Sequence, residues 1–307
     1  MTVSIAHRLQ YHALRGVVSA LAAISWKRAC ALGENLGAVG FRPLRIRRGV
    51  VERHLAAAFP GLPAAEITRI ARAAYEHLGR ITIETALLPE RGKEGVLELM
   101  QGTDGWHIVE DALSAGRGLI LVTGHLGNWE LGGAYLAARG VPIDVIVRGQ
   151  SNPLFEDYMN ETRSRLGMDV VHDSEAVRRT PRSLRSGRAV AFLADQGVRG
   201  LASTFVPFFG RPAKTPRGPA VFALRLHVPV VFAAVIRQPG EEGRYRMSFE
   251  TIDVPHTGDR QRDVDSTVAA YTSVLERWVR RTPEQYLWQH RRWRRQPPDT
   301  PPELREP

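Results

Sequence analysis

From Asp104 onward the chain alternates helical-period stretches with short β-branched runs. Apolar spacing predicts helices over Trp106–Ala115, Trp129–Arg139, Asn152–Leu166, a stretch ending at Ser183–Ser186, Arg217–Leu226 and Val264–Arg281. Between them, strands are predicted at Gly118–Val122, Ile143–Val147, Asp169–His172, Ala189–Ala194, Val228–Ile236 and Tyr245–Ile252. Such alternation specifies an α/β fold with a mainly parallel sheet flanked by helices on both faces. In that architecture ligands bind beyond the carboxyl ends of the strands. His125, Arg148 and Asp195 each follow such an end, so three separate strands aim polar groups at one rim.

The first hundred residues read differently. Ile67, Ile70, Ala71, Ala74, Leu78, Ile81 and Leu88 recur at helical spacing within Pro63–Leu88, as in a helix that covers a sheet. Residues 1–41 hold an eleven-residue uncharged run, Gly16–Trp26, and the apolar character resumes beyond Lys27 and Arg28. That is short of a membrane span. It suits one long amphipathic helix lying in a membrane interface, or equally a helix packed on the protein's own core. A secretory signal is the minority reading. Five arginines in the twelve residues Arg42–Arg53 follow at once, a pattern that holds a protein to anionic head groups. The expected organisation is a single domain over residues 1–296, with a helical membrane-facing region at 1–41 and a Pro-rich, disordered tail at 297–307.

Composition narrows the class. The chain has 307 residues, 43% of them hydrophobic, which is a globular composition. Its 42 basic and 32 acidic residues leave a net charge of +10, which suits nucleic acid, anionic lipid or an acidic carrier protein. Cys30 is the one cysteine, so no intrachain disulfide or cysteine metal site forms. Serine-hydrolase elbows, HExxH helices and GxGxxG turns are all missing from the sequence, and the ten histidines are scattered.

The candidate chemistry centres on Val122–Gly133, where a strand delivers His125 to a turn and Glu130 follows five residues later. Five residues of helix turn through roughly 500°, about 140° apart on the surface. The pair meets only if the chain bends between, and Gly127 and Asn128 favour a bend. The reading is that Glu130, in the first helical turn, orients the imidazole as a general base. As an isolated spacing, HxxxxE is common by chance.

The full string Gly124-His125-Leu126-Gly127-Asn128-Trp129-Glu130 is more specific, and resembles the GHxGNWE signature of the lauroyl/myristoyl acyltransferases of late lipid A biosynthesis, within the HxxxxD/E glycerolipid acyltransferases. Three further blocks agree in order: Val50–Pro60 ending in Phe-Pro, with His54 where the family commonly has asparagine; Phe205–Ala220, similar to F-x-P-F-F-G-x-x-A-x-T-x-x-G; and Pro283–Arg295, similar to PEQYLWxHRRW. The resemblance covers roughly residues 42–297.

The resemblance implies an O-acyltransferase at the cytoplasmic face of a bacterial inner membrane, moving an acyl group from a thioester to a hydroxyl of a lipid A precursor or related glycolipid. It implies an acyl carrier protein as donor, with acyl-coenzyme A as the other thioester, and neither cofactor nor metal. Asp195 and Gln196 match the family's Asp-Gln, which positions an acceptor sugar or holds Arg148. Arg148, or backbone N–H groups at Gly127 and Asn128, are the oxyanion candidates. Thr215 and Arg217 precede a helix, a natural seat for a phosphate. Aromatics and prolines in the Phe205 block suit an apolar lip. Interleaved Trp and Arg near the end suit a membrane interface, although the same pairing stacks on nucleic-acid bases; the resemblance favours lipid and implies no nucleic-acid partner. Three alternatives stay open: an acyltransferase for a lysophospholipid, one for a phosphatidylinositol mannoside, and a non-catalytic basic membrane-binding protein.

Overall fold

The computed structural model describes residues 3–197, 200–240 and 243–307. In chain order the helices are α1 (Ile5–Ala22), α2 (Trp26–Phe41), α3 (Arg48–Ala58), α4 (Ala64–Glu98), α5 (Trp106–Ser114), α6 (Trp129–Ala138), α7 (Pro153–Arg165), α8 (Ala176–Arg185), α9 (Gly218–Leu226) and α10 (Arg260–Arg281). The strands are β1 (Met100–Asp104), β2 (Leu119–Thr123), β3 (Ile143–Val147), β4 (Asp169–His172), β5 (Ala189–Leu193), β6 (Ser203–Phe208), β7 (Arg211–Pro216), β8 (Val230–Arg237) and β9 (Tyr245–Ile252).

Seven strands form one sheet in the order β1-β9-β8-β2-β5-β3-β4. From β8 to β4 every pairing is parallel; β9 runs antiparallel to β8, and β1 pairs parallel to β9. The mainly parallel α/β architecture expected from the sequence is the one observed. Period-two alternation divides the sheet's side chains between two cores. Ile120, Val122, Val190, Phe232 and Ala234 face a layer that includes α3, α9 and α10. Leu119, Leu121, Ala189, Val231, Ala233 and Val235 face α5 and α6. Helix α4 serves both, with Ile67, Ile70 and Tyr75 in the first core and Leu88 and Val96 in the second. It bends at Gly92, whose φ of 64° breaks the helical geometry.

Three expectations are corrected. The N-terminal region is two helices, because Ala23–Ser25 breaks the run between α1 and α2. Helix α2 lies against α4 at backbone contact: a Cβ added at Gly37 would stand 2.0 Å from the Tyr75 carbonyl oxygen, and one at Gly79 equally close to that of Gly33. Residues 203–216 form a β-hairpin instead of an apolar lip, because Val206, Phe208, Ala213 and Thr215 alternate inward into the core. The tail read as disordered is docked: Glu306 pairs with Arg291, the Pro307 carbonyl accepts from Arg53, and Arg211 donates to the Arg305 carbonyl.

Candidate active site

The rim is built where β2 ends. Residues 124–128 turn sharply, and Gly127 adopts φ 60° with its backbone against β8; a Cβ there would stand 1.7 Å from the Val235 oxygen. Only glycine fits that position. The C-terminal segment pairs with the turn from the other side, Gly127 N–H donating to Gln285 O (2.9 Å) and Leu287 N–H to His125 O (3.0 Å). Asn128 caps α6, its Oδ1 accepting from Leu131 N–H at 3.0 Å. From α4, His77 Nε2–H donates to Gly127 O (3.2 Å). His77 is fully enclosed, and burial, with Arg237 nearby, pushes its pKa down to about 3, so it serves here as a neutral donor.

His125 is held by Asp195. Its ring Nδ1 lies 2.7 Å from one carboxylate oxygen, and its backbone N–H donates to the other at 3.0 Å. The sheet register explains the meeting: Thr123 pairs with Leu193 in adjacent strands, and each functional residue lies two positions beyond. Burial alone would raise the Asp195 pKa, but the imidazole, the two hydrogen bonds from His125 and the Arg292 charge hold it well below the carboxylate range. Tyr286 contacts both Asp195 and Arg292; burial first, and then the Asp195 charge, keep its phenol protonated and able to donate. With Nδ1–H directed at a carboxylate, the imidazole carries its lone pair on Nε2. The ring meets Trp129 edge-on at 4.9 Å, and the Gln196 amide nitrogen lies 3.4 Å from Nε2.

Glu130 does not orient His125, contrary to the sequence reading. It takes Arg163 of α7 in a two-pronged ion pair, 2.6 and 3.0 Å. A neighbouring strand already supplies the imidazole's carboxylate, and the first turn of α6 carries Glu130 across the cavity towards α7. It still lines the same cavity as His125. The proposed backbone oxyanion donors are also spent, since Gly127 N–H goes to Gln285 and Asn128 N–H to Val235 O (3.0 Å).

Asp195, expected to position an acceptor sugar or hold Arg148, contacts the His125 ring and backbone instead, and Gln196 also lies at the imidazole. Arg148 is exposed at the end of β3 and lines the cavity, as placed from the sequence. Thr215 and Arg217 are not part of the site. Thr215 is buried, donating to Ala213 O and accepting from Arg292, and Arg217 is turned to Gln261 and Asp265 of α10. Trp288 and Trp293, read as interfacial, are fully buried, their indole N–H groups satisfied by Pro283 O and Phe208 O. Full burial of such side chains contributes roughly 1.5–3 kcal/mol each. The C-terminal block buttresses the turn from within the core.

Two cavities meet here. One, of about 1340 Å³ including its open mouth, is of mixed character and holds His125, Arg148, Gln196 and the Glu130–Arg163 pair among apolar walls such as Phe155 and Phe192. The other, of about 630 Å³, runs between α6 and the sheet and is walled by Leu121, Gly133, Leu136, Val145, Ala191 and Met247. Trp129, Glu130, Arg163 and Leu193 line both. Both combine apolar walls with a few polar groups, the lining of a ligand site. Met168 and Arg163, unremarked in the sequence, belong to these walls; no local motif distinguishes them.

The family model described as bacterial lipid A biosynthesis acyltransferase matches residues 4–295. The chain is 26% identical over 269 residues to a lipid A biosynthesis palmitoleoyltransferase of Escherichia coli, covering 87% of this chain and 85% of that one. It is 26% identical over 274 residues to a lipid A biosynthesis lauroyltransferase of the same organism, covering 88% and 86%. It is also 30% identical over 169 residues to a phosphatidylinositol mannoside acyltransferase of Mycobacterium tuberculosis, covering 53% and 52%. A carboxylate-paired imidazole in a cavity that adjoins an apolar one fits that company, and with a match across nearly its whole length the chain belongs to the bacterial lipid A biosynthesis acyltransferase family and is an acyltransferase.

Proposed function

We propose that this protein transfers a fatty acyl group from acyl carrier protein to a hydroxyl of a lipid A precursor, with a phosphatidylinositol mannoside as the second acceptor class. The lipid A assignment is favoured because relatives of that activity match over most of both chains, whereas the mannoside acyltransferase matches over about half. The observation that carries the reading is the His125–Asp195 pair, opening onto a cavity of mixed lining that continues into an apolar one. His125 Nε2 takes the acceptor hydroxyl's proton as its oxygen attacks the thioester carbonyl. The tetrahedral oxyanion collapses with cleavage of the C–S bond, and the imidazolium returns its proton to the departing thiolate. Arg148 and the Gln196 amide face the oxyanion in place of the committed backbone N–H groups.

The acyl chain would pass the Glu130–Arg163 pair into the apolar cavity. On the N-terminal helices, Ile5, Leu9 and Val17 of α1 and Leu32 and Leu36 of α2 are exposed, and so are Leu44 and Ile46 within the arginine-rich segment. Exposed apolar side chains interleaved with arginine suit peripheral attachment to an anionic membrane surface. Among the described residues, no helix is long and apolar enough to cross a membrane.

Lipid mass spectrometry tests the reaction. Purified protein with acyl carrier protein thioesters should add one acyl mass to a lipid A precursor, and His125→Ala should add none. A gain that persists in the variant would remove the imidazole from the chemistry; no gain on either acceptor class would overturn the reading. The cavity makes a second prediction. Ala191→Leu fills space beside Leu121 and Val145. It is expected to lower kcat/KM for the longest accepted donor by roughly 10- to 200-fold and to spare shorter ones. Competition between mixed donors measures this, and an unchanged chain-length profile would show that the acyl chain lies elsewhere.

A further inference from the structure

Beside the reactive imidazole lies a third cavity lined by Arg148, Lys214, His290, Arg292, Arg294 and Arg295. Four parts of the chain supply it: the end of β3, Gln196 and Gly197 beyond β5, β7, and the C-terminal segment 290–295. No carboxylate is among the described residues that line it. Several arginines elsewhere are neutralised by carboxylates, as Arg163 by Glu130, Arg188 by Asp144 and Arg277 by Glu250. Here Arg148, Lys214 and Arg294 have no side-chain counter-ion among the described residues, and Arg295 reaches only the Gly197 carbonyl. Like charges held this close repel, and an anion between them relieves the repulsion.

Arg292 is the built part of the site. Its guanidinium is buried beside the Asp195 carboxylate and Tyr286, fixed by Lys214 O at 2.6 Å and Thr215 Oγ1 at 2.7 Å, and its Nε has no hydrogen-bond partner. Gln196 lines both this cavity and the one that holds His125, so the two are one side chain apart.

We propose that this cluster is a subsite for a phosphate ester of the acceptor lipid, which anchors the head group while its hydroxyl reaches His125. Guanidinium forks match phosphate oxygens in pairs, and several unpaired cations suit a group with more than one negative charge. The donor's phosphopantetheine carries the same chemistry, but its thirteen bonds from phosphorus to sulfur stretch to roughly 15 Å at the reach of an extended chain. A phosphate bound one side chain from the base would force that arm to double back. A sugar phosphate lies only a few bonds from the acceptor's own hydroxyls. The subsite rests on the glycolipid-acceptor reading above.

Binding measured without turnover tests it. In full-length His125→Ala protein in detergent, the Kd of a bisphosphorylated lipid A precursor is compared with that of its phosphatase-treated form. A phosphatidylinositol mannoside is compared likewise with a mannosyl diacylglycerol. Loss of phosphate is expected to weaken binding at least tenfold on one of the pairs. Lys214→Gln/Arg295→Gln should erase that difference while leaving the phosphate-free lipid's Kd unchanged, and the exposed Arg294→Gln, which disturbs no core contact, should narrow it. A difference that survives all three substitutions overturns the subsite, and so does the lack of any difference on both pairs. If instead Lys214→Gln/Arg295→Gln erases the difference between pantetheinylated and apo carrier protein and leaves the lipid difference intact, the acceptor assignment is overturned. Failure of acyl transfer itself shows separately in the wild-type reaction and leaves this comparison intact.

Discussion

Asp195→Asn is expected to lower kcat by about 10³–10⁴-fold with little change in fold, the magnitude typical when a base loses its orienting carboxylate. Both Asp195 oxygens accept, one from the His125 backbone N–H and one from ring Nδ1–H. Asparagine can satisfy the backbone with its oxygen only by turning its NH₂ towards Nδ1. That selects the tautomer with the proton on Nε2, where the hydroxyl's proton has to go. Because the two residues act as one unit, Asp195→Asn added to His125→Ala should cost little further activity. Steady-state kinetics on the four proteins measures this. Glu130→Gln supplies the contrast, because it acts on Arg163 and leaves the tautomer alone. If Glu130→Gln abolished turnover while Asp195→Asn stayed within tenfold of the parent, the pairing described here would be wrong.

The same contrast shows where the sequence was sufficient and where it was not. Strand ends were legible, because β-branched runs bounded by glycine and charge mark them locally; β3, β4 and β9 lie where the pattern placed them. His125, Arg148 and Asp195 thus read as rim residues. Which rim residues touch depends on strand order, and nothing local encodes that β2 lies beside β5. Glu130 was closer in sequence and so attracted the role that Asp195 holds. The hairpin at β6 and β7 was hidden for another reason: prolines and glycine read as loop, while Thr215, buried and bonded to Arg292, looked like a free helix cap. Trp288 and Trp293 beside arginines had the composition of a membrane interface, and only packing shows that they face inward.

Glu84, which the sequence left undecided between solvent and site, is the residue whose loss should cost most stability. It is fully buried on α4, accepting from Arg80 Nε at 2.7 Å, Asn128 Nδ2 at 2.8 Å and the Tyr245 hydroxyl at 2.5 Å, with the Cys30 thiol at 3.8 Å. Burial first, and then the Glu84 charge, push the Cys30 thiol up to about 12, so it stays a donor. Glu84→Ala leaves the Arg80 charge enclosed with only Glu34 as counter-ion, and leaves Asn128 and Tyr245 unsatisfied. A loss of about 3–5 kcal/mol is expected for breaking a buried pair in this way, read from urea unfolding midpoints at constant slope. The network also reaches the chemistry. Asn128 is the cap of α6 and the third residue after His125, and with Glu84 gone its side chain loses the contact that fixes it from the α4 side. Glu84→Gln keeps the shape but turns one NH₂ towards a ring of donors, so a smaller stability loss is expected, together with a fall in kcat at nearly constant acceptor KM. A positioning role predicts that split. If Glu84→Gln lost stability yet kept full kcat, the carboxylate would be holding α4 to the sheet and nothing more.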